Sequence, residues 1–143
     1  MSTSSKRPGD DSSRVAPFSL AHLAEQSQLD FELDFFAGVL GQIPDFVDVL
    51  RAHANNLTLK GRYEDGMVVD RRLIQLRPSD YMAYYNLACS YALLKQPELS
   101  LSTLRRAVEL GYRDFRYMKQ DRDLEAVRRD PRFKQLIREF ENR

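Results

Sequence analysis

The stretch YMAYYNLACSYALLKQPELSLSTLRRAVELGY, residues 81–112 of a 143-residue chain, reads as two helices and the turn between them. In Tyr81 to Leu94, Tyr84, Leu87, Ala88 and Tyr91 recur at three- and four-residue steps, which places them on one helical face. Lys95 and Gln96 make the turn. Pro97 opens the second helix at a position where proline sacrifices no backbone hydrogen bond. That helix runs to Leu110, and Gly111 is a natural C-terminal cap. Small residues at Ala88 and Ala107 let two antiparallel helices approach closely. Large ones at Tyr84, Tyr91 and Leu104 fill the space between neighbouring pairs.

The same pattern lies one period upstream. Pro44 and Pro78 are 34 residues apart, and Tyr112 lies 34 further on. Between Phe46 and Pro78, Leu50, Ala54, Leu57, Gly61, Tyr63, Gly66 and Leu73 repeat the large, small and turn positions. The predicted helices there are Asp45 to Leu59 and Arg62 to Leu76, with Gly61 as the left-handed cap. His53 and Asp70 stand at positions that are normally apolar. Further upstream, Leu29 to Ile43 carries two apolar stripes, Leu29, Leu33, Phe36, Leu40 and Ile43 on one side and Phe31, Phe35 and Val39 on another. A helix apolar on two faces must be covered from two sides. The next hairpin is one cover, and Phe18 to Glu25 is expected to fold as a short first helix and supply the other. Downstream, Tyr112 to Arg129 predicts one or two short helices. Asp130 and Pro131 then start a last helix with Phe133, Leu136, Ile137 and Phe140 facing inward and a polar outer side. No segment alternates at strand period, so the fold class is all-α.

These residues resemble the tetratricopeptide repeat family, whose pattern is a large aromatic, Leu-Gly, Tyr, a turn Gly, small residues and Pro. Tyr84, Leu87, Ala88, Tyr91 and Ala107 match it, with Lys95 in place of the turn Gly and Ser100 in place of the usual Ala. The ending ELGYRDFRYMKQDRDLEAVRRDPRFKQLI, residues 109–137, resembles the degenerate last repeat of many bacterial members. The resemblance implies a short α-α superhelical solenoid of antiparallel hairpins over residues 18–143, with units of about 18–44, 45–78, 79–112 and 113–143. Residues 1–17 are Ser-rich and are expected to be a disordered tail.

In such an array the first helix of each hairpin lines a groove for an extended peptide. The resemblance implies that Asp48, Arg51, Ala52, Asn55 and Leu59 line it from one unit, and Met82, Tyr85, Asn86, Cys89 and Leu93 from the next. Family members that grip a terminal carboxylate do so with basic residues and asparagines. Arg51, Asn55, Asn86 and Arg116 fall at those positions, while Gln120 departs from the basic residue preferred there. Tyr81 and Tyr85 are the expected aromatic contacts, and Tyr84 and Tyr91 the core tyrosines. The alternative for the same residues is a solvated polar groove.

Composition excludes several other functions. Lys plus Arg is 22 and Asp plus Glu 21, too balanced for a protein that coats nucleic acid. One cysteine and two histidines leave no disulfide, no cysteine-rich metal site and no nucleophile–base pair, so no cofactor, metal or catalysis is expected. The absence of a long apolar run predicts no membrane span, and the polar start is no secretory signal, so a reducing cytoplasmic setting is expected. The near-neutral total hides an asymmetry. Residues 18–80 hold six basic and ten acidic residues, and residues 81–143 thirteen and nine. The predicted function is a non-catalytic adaptor for a protein or peptide partner, including one with an acidic segment or free C-terminus. The alternative is an accessory subunit or self-associating scaffold, a homo-oligomer that uses its terminal faces and its acidic and basic halves.

Overall fold

The computed structural model describes residues 19–143; the expected tail at residues 1–17, and Phe18, lie outside the described residues. The described chain is helical with no strand. In order the helices are α1 (Leu20–Gln42), α2 (Val47–Leu59), α3 (Tyr63–Leu76), α4 (Tyr81–Leu93), α5 (Pro97–Glu109), α6 (Phe115–Met118), α7 (Glu125–Arg128) and α8 (Pro131–Glu141). A 3-10 turn at Arg122–Leu124 precedes α7. Each long helix packs on the next, α1 on α2, α2 on α3, α3 on α4 and α4 on α5, and α8 closes against α5.

The repeat is visible in the helix ends. α2 and α4 start 34 residues apart, as do α3 and α5, and α6 and α8 start 34 beyond α4 and α5. The inter-helix turns obey the same period. Gly61 has φ +86°, and Lys95, 34 residues on, has φ +60°. At both sites the next amide reaches back to the helix, Arg62 N–H to the Leu57 carbonyl at 2.8 Å and Gln96 N–H to the Tyr91 carbonyl at 2.9 Å. These are left-handed helix caps, one made with glycine and one forced on lysine. Gly111, φ +125°, ends α5 by the same device.

Close packing within each hairpin rests on small residues. A Cβ added at Gly66 would lie 3.2 Å from Thr58 Oγ1. The equivalent residue in the next unit is Ser100, which is fully buried and donates to the Ala88 carbonyl at 2.8 Å. Serine therefore replaces the expected Ala without leaving an unsatisfied hydroxyl. The larger core lies in the C-terminal half, where Leu104, Ala107 and Val108 meet Met118, Leu124, Val127 and Phe133. A smaller cluster of Leu50, Leu73 and Ala83 joins the first hairpin to α4, with Leu40 of α1 at its edge. Two ion pairs staple α5 to α8 across one repeat, Glu98–Arg132 at 2.6 Å and Arg105–Glu139 at 2.7 Å.

The start of the array departs from expectation. Leu20–Gln42 is one continuous helix, so the described part of the short first helix expected at Phe18 to Glu25 is instead the start of this long one. The reason is local. Ser19 caps the first turn by accepting from the His22 amide, and no Pro or Gly interrupts the chain until Gly38. The second apolar stripe of α1 is therefore left uncovered by the described residues, and the one buried residue of the helix, Leu33, belongs to the first stripe. Phe31 and Phe35 are 63% and 55% exposed.

Candidate functional site

The faces of α2 and α4 carry the residues expected to bind, and the structure sorts them. Asn55, Asn86 and Cys89 come together. With Ala54, Thr58, Asp70, Ser90 and Asp123 they line a pocket of about 50 Å³. Arg51 and Arg116 do not line it. Arg51 is turned to Asp80, with which it forms an ion pair and hydrogen bond. Asp80 is already the N-cap of α4, accepting from the Met82 and Ala83 amides at 2.9 and 3.2 Å. Burial pushes the Asp80 carboxyl up, but the Arg51 guanidinium and these two amides outweigh it and hold it below the ordinary carboxylate range. Arg116 is exposed on the short α6.

Tyr85 is not a groove contact. It is 2% exposed, stacks on Tyr112 with ring centres 4.3 Å apart, and donates to Asp121 at 2.7 Å. Tyr84, expected in the core, is instead only partly buried against it. The cause is the degenerate last unit. Its first helix breaks after Met118, and the turn at Arg122–Leu124 packs directly on α4. That turn covers the face on which Tyr85 and Cys89 sit. Asp121 holds it in place, capping the turn through the Asp123 amide at 2.9 Å and taking the Tyr85 hydroxyl. Burial and the charge of Asp121 push the Cys89 thiol well above its usual range, which suppresses the thiolate needed for reactivity.

The chemical character of the pocket is set by acids that were not expected to act. Asp70 is 2% exposed and accepts from the Ser90 hydroxyl at 2.7 Å. Burial raises its carboxyl to about 7, against the smaller opposing effect of that hydrogen bond. Asp123 is raised too, by burial first and by the neighbouring Asp121 charge second. No Lys or Arg is among the residues lining the pocket. Asp70 was visible in the sequence only as an acid at a normally apolar repeat position, and Asp121 and Asp123 only as part of a familiar ending. The signal missed was that Asp70 and Asp123 would meet at one pocket. His53 lies outside it, with a buried Nδ1 that has no partner among the described residues and a ring held below its usual pKa by burial and then by Arg62.

The basic C-terminal third is largely paired. Arg105, Arg106, Lys119, Arg132 and Arg143 hold acids, while Arg113 and Arg128 donate to backbone carbonyls. No helix among the described residues is long and apolar enough to cross a membrane.

Helical hairpins in 34-residue register, closed by a worn last unit, define a tetratricopeptide-like helical repeat fold. The chain is similar in structure to "MamA RS-1 ArsTM double mutant", with a TM-score of 0.59 and 20% identity over 83% of this chain and 71% of that one. In sequence it is 33% identical over 84 residues to a chloroplastic protein of Arabidopsis thaliana. That match covers 57% of this chain and 25% of the relative, so the chain spans about a quarter of that protein's length. No family model matches the chain.

Proposed function

We propose that the protein is a non-catalytic adaptor that holds an extended segment of a partner protein across α2 and α4. The observation that carries this reading is the pocket between those helices, which Asn55 and Asn86 line together with Asp70 and Asp123. Paired asparagines suit a peptide backbone, because each side-chain amide offers both a donor and an acceptor. The acids beside them suit a donor-rich side chain, Lys, Arg or an amide, and oppose a carboxylate. Arg51, the cation that a terminal-carboxylate clamp would use, is engaged by Asp80. The partner segment is therefore read as basic or amide-bearing in place of acidic. The structural likeness supports the repeat fold as a frame for such binding. A reducing cytoplasmic setting suits the free, buried Cys89.

The test is selection of binders from a random peptide display library, followed by fluorescence anisotropy of the selected sequences. Selected peptides should share a Lys or Arg, lose at least tenfold in affinity when it becomes Ala, and bind equally as free acids and C-terminal amides. Asn55→Ala with Asn86→Ala should weaken them to a similar degree. Peptides that need a free C-terminus, or that ignore both asparagine substitutions, would overturn the reading.

A further inference from the structure

Two surfaces at opposite ends of the array take no part in the groove. The first is the outer side of α1. Opposite the buried Leu33 lie Leu20, Ala24, Phe31, Phe35 and Gly38, all exposed. The Phe31 and Phe35 rings stack 6.1 Å apart, and nothing among the described residues approaches within 4 Å of where a Gly38 Cβ would stand. The terminal helix of a repeat array ordinarily has a polar outer side, and the first described helix here has an aromatic pair that no other described residue covers. The helix holds four acids, Glu25, Asp30, Glu32 and Asp34, and no Lys or Arg. Asp30 pairs with Lys60 at 2.7 Å, whereas Glu25 and Asp34 have no ion pair among the described residues.

The second surface is a groove of about 380 Å³ beside α8. Phe133 and Ile137 line it with Lys119, Arg128, Lys134, Arg138 and Glu141. Glu141 is tied to Lys119 at 3.1 Å. Among the described residues, Lys134 and Arg138 have no ion-pair partner and the buried Arg128 Nε has no acceptor.

We propose that the Phe31–Phe35 face of α1 docks into the α8 groove of a second copy of this chain, building a head-to-tail array. The α1 surface has an exposed aromatic centre and the groove an apolar floor at the buried Phe133 and Ile137, and their charged surrounds have opposite sign. That complementarity selects the pairing. α1 against α1 would bring two sets of carboxylates together with only Lys60, already paired with Asp30, beside them, and groove against groove would oppose Lys134 and Arg138 with their own copies. A contact between unlike surfaces leaves one of each unused at the ends, so association continues past the dimer unless the ring closes.

Sedimentation equilibrium of the full chain tests this, at low and high salt and with rising protein concentration. The mean mass should climb beyond a dimer as concentration rises and fall toward the monomer in high salt, because the steering charges are screened. Two exposed-site variants separate the ends. Phe31→Gln with Phe35→Gln blocks α1, and Lys134→Glu with Arg138→Glu blocks the groove. Each alone should be monomeric, with unchanged far-UV circular dichroism, and an equimolar mixture should form a 1:1 complex through its two intact surfaces. A monomeric wild-type chain at every concentration would overturn the proposal, as would cover of α1 by the chain's own leading residues, seen as association only after their removal. A groove-blocked variant that still dimerises would show a symmetric α1 contact and overturn it equally.

Discussion

Asp70→Asn should make the protein more stable at neutral and alkaline pH and leave it nearly unchanged in acid. Asp70 is almost wholly buried beside Ser90, with no cation lining the pocket it faces. Its carboxyl is raised from 3.8 to about 7. The folded state therefore holds this proton over a pH range in which the unfolded chain has already released it. In that window the folded state binds more protons, so stability falls as pH rises from about 4 to about 7 and then levels off. A shift of this size at ~1.4 kcal/mol per pH unit amounts to about 4 kcal/mol, an upper figure for a carboxylate that ionises without relaxation. Asparagine keeps an oxygen to accept the Ser90 hydroxyl and has nothing to ionise. The assay is urea unfolding followed by far-UV circular dichroism, wild type against variant, at several pH values between about 4 and about 8. The other carboxylates contribute equally to both proteins and cancel in the difference. The variant's advantage should be small in acid and grow to a few kcal/mol by about pH 8. A difference that is flat with pH, or a variant that is the less stable protein at about pH 8, would show that the Asp70 carboxyl does not hold its proton in the folded state.

Three other outcomes follow from packing and backbone geometry. Lys95→Gly should raise stability by about 1 kcal/mol in thermal or urea unfolding, because Lys95 occupies a left-handed conformation at φ +60° that glycine adopts freely. Gly66→Val should cost about 1–3 kcal/mol, since a side chain there meets Thr58 and the Ala54 carbonyl across the contact of α2 and α3. Cys89 should resist alkylation by iodoacetamide in the native protein at mildly alkaline pH and react promptly once the chain is unfolded; rapid native labelling, read by mass spectrometry, would contradict its burial.

Helix ends were legible because the signals that set them are local. Pro97, Pro131, Gly61, Gly111 and the capping Asp130 each act within a turn or two of their own position, and each stands where a helix starts or stops. The pairing Asp130–Pro131 shows this plainly, the carboxylate accepting from the Arg132 amide at 2.9 Å while the proline opens the helix. The site was less legible. Asn55, Asn86 and Cys89 of α2 and α4 line one pocket, whereas Tyr85 and Arg51, expected beside them, are held elsewhere by other residues. Tyr85 is covered by a turn 36 residues away in sequence, and Arg51 is held by an acid 29 residues away. No local pattern reports such partners.

The 34-residue period and the all-helical architecture belong to the sequence alone, since periodic apolar spacing and caps are properties of neighbouring residues. Which helical faces meet water, and which acids share a pocket, depends on how the helices assemble. A helix carries the same stripe whether or not a neighbour covers it. The aromatic pair of α1 stays exposed because its helix runs on unbroken and none of the described residues folds back over it. Tyr85 and Cys89 are buried because the worn last unit breaks into a turn that lies across α4. Burial depends on what arrives from elsewhere in the chain, and that is a property of the assembled array.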